Sequence, residues 1–150
     1  MTATVEFATA ADLPALVKLL GALFTQEADF SPDTAKQLAA LRLILDHPEI
    51  GRLFVLRIDD RVAGMANALV TVSTAEGGRV VLLEDVIVER GLRGRGYGRS
   101  LVEHVFAWAV AEGMTRVTLM TDADNHAAQQ FYARLGFMPS AMQVLRRKLS

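Results

Sequence analysis

Apolar positions recur along this chain with two periods, and the change of period divides it. Thr4 to Ala8 alternates weakly and predicts a short strand. Leu13, Leu16, Val17, Leu20 and Phe24 follow at three- and four-residue spacing, the stripe of a helix with one face in a core. Just ahead, Thr9-Ala10-Ala11-Asp12 has the Ser/Thr-x-x-acid form of a capping box, with Asp12 near the positive helix end. Gln26 to Phe30 is polar and acidic. Ser31-Pro32 predicts a second helix start, serine as cap and proline at the first helical position. Leu38, Leu41 and Leu45 give that helix an apolar face up to His47-Pro48.

From Arg52 the spacing shifts to that of strands. Leu53 to Ile58 and Val62 to Thr74 flank Asp59-Asp60 and predict an antiparallel hairpin. Ala75-Glu76-Gly77-Gly78 turns the chain into Arg79 to Glu89, a strand dominated by Val, Leu and Ile and apolar on both faces, as buried central strands are. Leu101, Val102, Val105, Phe106 and Ala109 mark a third helix closed near Gly113. Arg116 to Thr121 is another apolar strand, and Asn125 to Leu135 a fourth helix with Gly136 as its stop. Met138 to Leu149 can supply a last strand or two. The order β-α-α-β-β-β-α-β-α-β predicts one α/β (α+β) domain over residues 1–150, its mixed sheet antiparallel first and βαβ later. No linker, repeat or low-complexity segment interrupts it.

Composition narrows the function classes. A chain of 150 residues is about one domain long and buries roughly two-thirds of its unfolded surface without staples. The absence of cysteine removes disulfides, thiolate metal sites and a cysteine nucleophile together. A net charge of −1 gives no overall pull toward nucleic acid or anionic lipid. Met1 to Glu6 lacks the basic start and apolar run of a signal peptide, and no apolar stretch is long enough to span a membrane, so a soluble cytoplasmic protein is expected. His47, His104 and His126 are scattered without metal-ligand spacing, so no metal is expected. Trp108 is read as packing, and no Gly-x-Ser-x-Gly elbow announces a serine nucleophile.

The informative stretch is Arg90-Gly91-Leu92-Arg93-Gly94-Arg95-Gly96-Tyr97-Gly98-Arg99, with four glycines and four arginines in ten residues. Glycine lets backbone N–H groups approach a ligand closely, and the helix that starts here has unpaired first N–H groups and a dipole that favours anions. Flanking arginines add charge and bidentate donors. Such a loop is a phosphate site. It is not a nucleoside-triphosphate P-loop, because Gly91 and Gly96 are followed by Tyr97-Gly98 where Lys-Ser/Thr is required. Nor is it a dinucleotide fingerprint, because Gly94-x-Gly96 is followed three residues on by Arg99 and preceded by a hairpin region. It is also too short and too embedded for an Arg/Gly-rich nucleic-acid segment.

Val88, Arg93, Gly96 and Gly98 stand at the spacing of the Gln/Arg-x-x-Gly-x-Gly/Ala motif of the GNAT (GCN5-related N-acetyltransferase) superfamily. Asn125-x-x-Ala128-x-x-Phe131-Tyr132-x-x-x-Gly136-Phe137 resembles that family's second motif, after the next strand. The resemblance covers nearly the whole chain. It departs at Arg90, where members often carry proline. It implies a mixed central sheet of about six to seven strands flanked by four helices, and acetyl-CoA as co-substrate. The CoA site it implies comprises the backbone of Val86, Ile87 and Val88, the loop residues Arg93, Gly94, Arg95, Gly96, Tyr97, Gly98 and Arg99, and Asn125 with Ala128 on the fourth helix. It also implies Tyr132 as a proton or hydrogen-bond donor to the CoA sulfur, and a homodimer as one available assembly.

Chemistry then draws attention to Glu84-Asp85. Adjacent carboxylates in a strand point to opposite faces, and both are costly to bury without partners. Leu83-Glu84-Asp85 is similar to a segment of small-amine and polyamine members of the family, which implies Glu84 as base, directly or through water. A pKa raised by partial burial would suit that role. Asp85 is a candidate for the acceptor side, with Phe24, Glu27 and Phe30 from the acidic and aromatic segment after the first helix, a combination suited to a cationic amine. The expected activity is direct attack of a primary amine on acetyl-CoA in a ternary complex. A protein lysine or N-terminal acceptor, and a CoA-binding regulatory protein without turnover, stay open as alternatives.

Overall fold

The computed structural model describes residues 2–26 and 33–150, with the backbone alone at residues 24–26. Its sheet is organised by a tight hairpin. Asp59 (φ 50°) and Asp60 (φ 66°) both adopt left-handed backbone between β2 (Gly51–Ile58) and β3 (Arg61–Ser73). Two positive φ angles make the turn whose twist matches the flanking strands, and aspartate tolerates them better than most residues. β4 (Gly78–Val88) pairs antiparallel with β3, and β1 (Ala3–Phe7) antiparallel with β2. β5 (Val117–Leu119) joins β4 in parallel, giving the order β1-β2-β3-β4-β5.

Alternation along these strands sorts their side chains into two layers. Leu53 and Val55 of β2, Met65 of β3 and Ile87 of β4 are buried with Leu13, Leu16 and Leu20 of α1 (Leu13–Gln26) and with Leu41 and Ile44 of α2 (Thr34–Asp46). On the opposite face lies α3 (Tyr97–Ala111), where Trp108 meets Phe54 edge-on at 5.7 Å between ring centroids. Trp108 therefore packs on the sheet, as expected of its place on the third helix. At Gly64 a Cβ would stand 3.3 Å from the Leu101 side chain and 2.8 Å from the Ile87 carbonyl, so only glycine lets β3 and β4 pass so closely there.

Asp12 does more than the predicted capping. Its carboxylate accepts from the Thr9 N–H (2.8 Å), and it also takes both arms of the Arg57 guanidinium at 2.8 and 2.7 Å. The Arg57 partnership, ahead of burial, holds the Asp12 carboxyl below the usual carboxylate range. Arg57 also bonds Glu6, so one arginine of β2 ties β1 to the start of α1.

The start of α2 differs from the predicted one. Asp33 is the cap, its Oδ1 accepting the Lys36 N–H at 3.1 Å, because an aspartate two residues nearer the apolar stripe meets the unpaired donors first. Ser31 and Pro32 lie outside the described residues.

Residues 121–150 form a second compact unit. Within it, α4 (His126–Arg134) is capped by Asn125 and ends at Gly136 (φ 95°). The Phe137 N–H returns to the Tyr132 carbonyl at 3.1 Å and the Gly136 N–H to the Ala133 carbonyl at 3.0 Å, closing the helix with a Schellman motif. The strand predicted beyond it is absent. Among the described residues the sheet has five strands, fewer than the six to seven expected, and Met138 to Leu149 joins none. Met142 and Leu145 are each about nine-tenths exposed. Alternation can suggest a strand, but a ladder partner and a buried face have to hold one.

Candidate active site

The register of the two central strands breaks where the sequence places its carboxylates. Met65 pairs with Ile87, yet Asn67 pairs with Glu84, so β4 carries one extra residue opposite Ala66. That extra residue makes a β-bulge, and Asp85 within it has φ 55°, uncommon for any residue but glycine. Strict alternation of Glu84 and Asp85, expected from an ideal strand, therefore fails. Asn67 faces Glu84 across the ladder and also donates from Nδ2 to Asp85 Oδ2 at 3.3 Å. One asparagine of β3 thus pairs with Glu84 in the ladder and holds the Asp85 carboxyl through its side chain. Burial pushes the Asp85 carboxyl above its ordinary value, against the smaller opposing effect of the Asn67 hydrogen bond.

The other edge of β4 opens at the same point. β5 pairs only as far as Leu83 with Leu119. Beyond it, Glu84 to Val88 has no strand partner on that side among the described residues, while β3 still pairs with Glu84, Ile87 and Val88. Glu84, Asp85 and Val86 are half-buried in a strand whose neighbours Leu83 and Ile87 are buried, so the bulge is partly exposed. The backbone of Val86, Ile87 and Val88 lies along this unpaired edge.

The glycine loop follows directly. Gly94 (φ 79°) and Gly96 (φ 87°) are left-handed, and a Cβ on either would meet nothing within 4 Å, so glycine is required there by conformation and not by crowding. Gly96 is the cap of α3, and the first helical bond runs from the Ser100 N–H to the Gly96 carbonyl at 3.1 Å. The N–H groups of Tyr97, Gly98 and Arg99 precede that bond and stand at the positive end of the helix. Arg93 latches the loop to the end of β4, its Nε donating to the Val88 carbonyl at 3.0 Å. Arg99 pairs with Glu103 one turn on. Arg95 is exposed. An open, arginine-flanked loop with left-handed glycines before a helix of 15 residues fits a pyrophosphate group.

In the second unit, the Asn125 Oδ1 accepts the Ala128 N–H at 3.1 Å, so this amide is first of all a helix cap, with its NH₂ as the group it can offer a ligand. Tyr132 sits between Phe131 and Phe137, both edge-on, at 5.0 and 5.5 Å between centroids. Burial pushes its hydroxyl up to about 12. Of the residues expected on the acceptor side, Phe24 lies in α1, described by its backbone alone, and Glu27 and Phe30 lie outside the described residues. Among the described residues no group of His, Asp or Glu is arranged to hold a metal ion.

Known proteins resemble this chain in sequence and in fold. The family model described as "Acetyltransferase (GNAT) family" matches residues 13–137. The chain belongs to that family. It is 47% identical over 57 residues to N-alpha-acetyltransferase 80 of Mus musculus, a match covering 38% of this chain and 17% of that protein. It is 30% identical over 135 residues to a mycothiol acetyltransferase of Clavibacter michiganensis, covering 79% of this chain and 44% of the relative. The chain thus spans less than half the length of either GNAT relative. The structure of AAC(6')-Iy with the bisubstrate analogue CoA-S-monomethyl-acetylneamine superposes with a TM-score of 0.84, covering 100% of both chains at 22% identity, which establishes a common fold. The GNAT fold is therefore present with the four helices expected and, among the described residues, fewer strands.

The sequence alone points to the loop, Glu84, Asp85 and Tyr132 but not to Asn67. A lone amide in the apolar run Val62-Ala63-Gly64-Met65-Ala66-Asn67-Ala68-Leu69 is the signal it carries there.

Proposed function

We propose that this GNAT member transfers the acetyl group of acetyl-CoA to a primary amine by direct attack in a ternary complex, and that the acceptor is a small cationic amine. The observation that carries this reading is the coincidence at one end of β4 of a bulge with two carboxylates, an unpaired strand edge and a phosphate-type loop. The neighbour bound to a CoA–aminoglycoside analogue supports it. So does the absence, among the described residues, of an activated nucleophile that would carry a covalent intermediate.

CoA, when bound, supplies an acetyl thioester as the electrophile. The loop from Arg93 to Arg99 receives its pyrophosphate through backbone N–H groups and arginine charge, and the edge of Val86 to Val88 bonds its amides as a pseudo-strand. Asn125 and Ala128 are the CoA-binding residues that family resemblance adds on α4. Glu84, directly or through water, takes the proton that the amine nitrogen sheds as its lone pair forms the new C–N bond. The C–S bond breaks and the sulfur leaves with the electron pair. Tyr132 is poorly matched to give up its proton outright, because its hydroxyl is raised to about 12, a weaker acid than a thiol such as that of cysteine, at about 8.5. It serves instead as a hydrogen-bond donor to the departing sulfur, which is then protonated from solvent. Glu84 and Asp85 favour a cationic acceptor, and Phe24, Glu27 and Phe30 are the acceptor-side residues on the α1 side. The protein acts in the cytoplasm, and a homodimer is the assembly that family resemblance suggests.

Steady-state assay with acetyl-CoA and a panel of primary amines tests the proposal. Glu84→Gln should lower kcat/KM by about 10²-fold or more while leaving acetyl-CoA affinity unchanged. Equal turnover in that variant contradicts Glu84 as base.

A further inference from the structure

We propose that Asn67 is an acceptor-recognition residue, whose side-chain oxygen accepts a hydrogen bond from the N–H of the incoming amine while its NH₂ holds Asp85 in place. This rests on the reading of the β4 bulge as the acetyl-transfer site.

Asn67 is 5% exposed, in a strand segment where Met65, Ala66 and Ala68 are fully buried. Its Nδ2 donates to Asp85. Nδ2 is the amide atom on Asp85, so Oδ1 is the atom left for another partner. That oxygen has no hydrogen-bond partner among the described residues. Buried amide oxygens are satisfied in the great majority of cases, and an apolar side chain would pack this position without leaving one orphaned. Asn67 shares a sheet face with Met65, two residues before it, which packs under α1 and α2. Its oxygen is thus buried on the helix-covered side of the sheet, beside the half-buried Glu84 and Asp85.

The chemistry of the missing partner follows from what the site presents. Two carboxylates and an amide oxygen all accept, and none of these three side chains offers a further donor toward the ligand except the Asn67 NH₂ already used. A group that fits is rich in N–H and positive, which describes a primary ammonium or amine and excludes a carboxylate or phosphate. Asn67 would also align the nitrogen: with one N–H on Oδ1 and another toward a carboxylate, the lone pair is left to face the unpaired edge of β4. The left-handed backbone of Asp85 brings its carboxylate within reach of Asn67, and so belongs to the same recognition device.

The test observes the Asn67 side-chain amide of the full chain by NMR while n-propylamine hydrochloride is added, with n-propanol and sodium propionate as controls. A saturable shift with the amine and none with the controls supports the proposal. No shift, or an equal shift with propionate, overturns it. In parallel, Asn67→Leu and the milder Asn67→Ser are assayed with acetyl-CoA and the amine. The expected result is a KM for the amine raised about tenfold or more, with the KM for acetyl-CoA unchanged. An unchanged amine KM in a folded variant overturns the assignment of Asn67 and leaves acetyl transfer standing. A saturable amine shift in a protein that turns over no amine upholds Asn67 and defeats the transfer reading instead.

Discussion

Asp85 is the residue on which the chemistry and the stability of this protein pull in opposite directions. Its carboxyl is raised by burial, so the folded protein holds that proton more tightly than the unfolded chain. Stability must then fall as pH rises from the ordinary carboxylate value toward the raised one, because the unfolded state releases the proton first. Asp85→Asn should remove this slope and raise the melting temperature at neutral pH, while amine acetylation declines. A melting temperature that falls at neutral pH would show that the charged form is stabilised in the fold. Tyr132 makes a simpler case. Its hydroxyl is raised to about 12, so it stays protonated through the neutral and mildly alkaline range. Activity should therefore climb as the amine loses its proton, with no falling limb from Tyr132 until pH approaches that value. A pH–rate profile that turns over well below it in the wild type, and not in Tyr132→Phe, would contradict the hydrogen-bond role.

At the scale of elements, positions are set by a few polar anchors on an apolar frame. Asp12 joins the start of α1 to Arg57 of β2, and its pKa is lowered chiefly by that arginine. Asp12→Ala should cost about 1.5–3 kcal/mol by denaturant unfolding. The contribution of the native pair is present above the unfolded carboxylate value and disappears as pH falls through the lowered folded one. The glycine loop gives a prediction of the opposite kind. Gly96→Ala has room for its methyl group but not the conformation, so it should cost about 1–2 kcal/mol in strain. Its larger effect should be weaker CoA binding by calorimetry, since the N–H groups of Tyr97 to Arg99 are re-aimed. Full-strength CoA binding in that variant would separate the loop from the phosphate. These elements differ in how legible they are in the sequence. The four helices, the hairpin turn and the loop are written in local signals: spacing, Asp59-Asp60, clustered glycines and arginines. The α2 cap is harder, because Ser31-Pro32 and Asp33 offer competing starts, and only the backbone bond to Lys36 decides between them. The bulge at Asp85 has no local signal, because it is a mismatch between two strands and neither strand carries it alone. Asn67 is hidden for the same reason, its meaning arising only from what the register sets opposite it.

For the whole molecule, the pairing of β5 with β4 ends at Leu83, and the carboxylates, the strand edge that leads into the loop, and Asn67 with its orphaned amide oxygen follow at or beside that point of β4. Composition has no part in this; a chain with a net charge of −1 acts through local charge. The family gives the fold, and the chemistry around Asn67 argues for the acceptor. The measurement that bears most directly on this account is an acetyl-transfer assay with purified protein, acetyl-CoA and a pool of small cationic amines, following thiol release and N-acetyl product together by mass spectrometry. Both should appear in equal amounts and only when the amine is present. Folded protein that releases no thiol above background with any amine in the pool would contradict it.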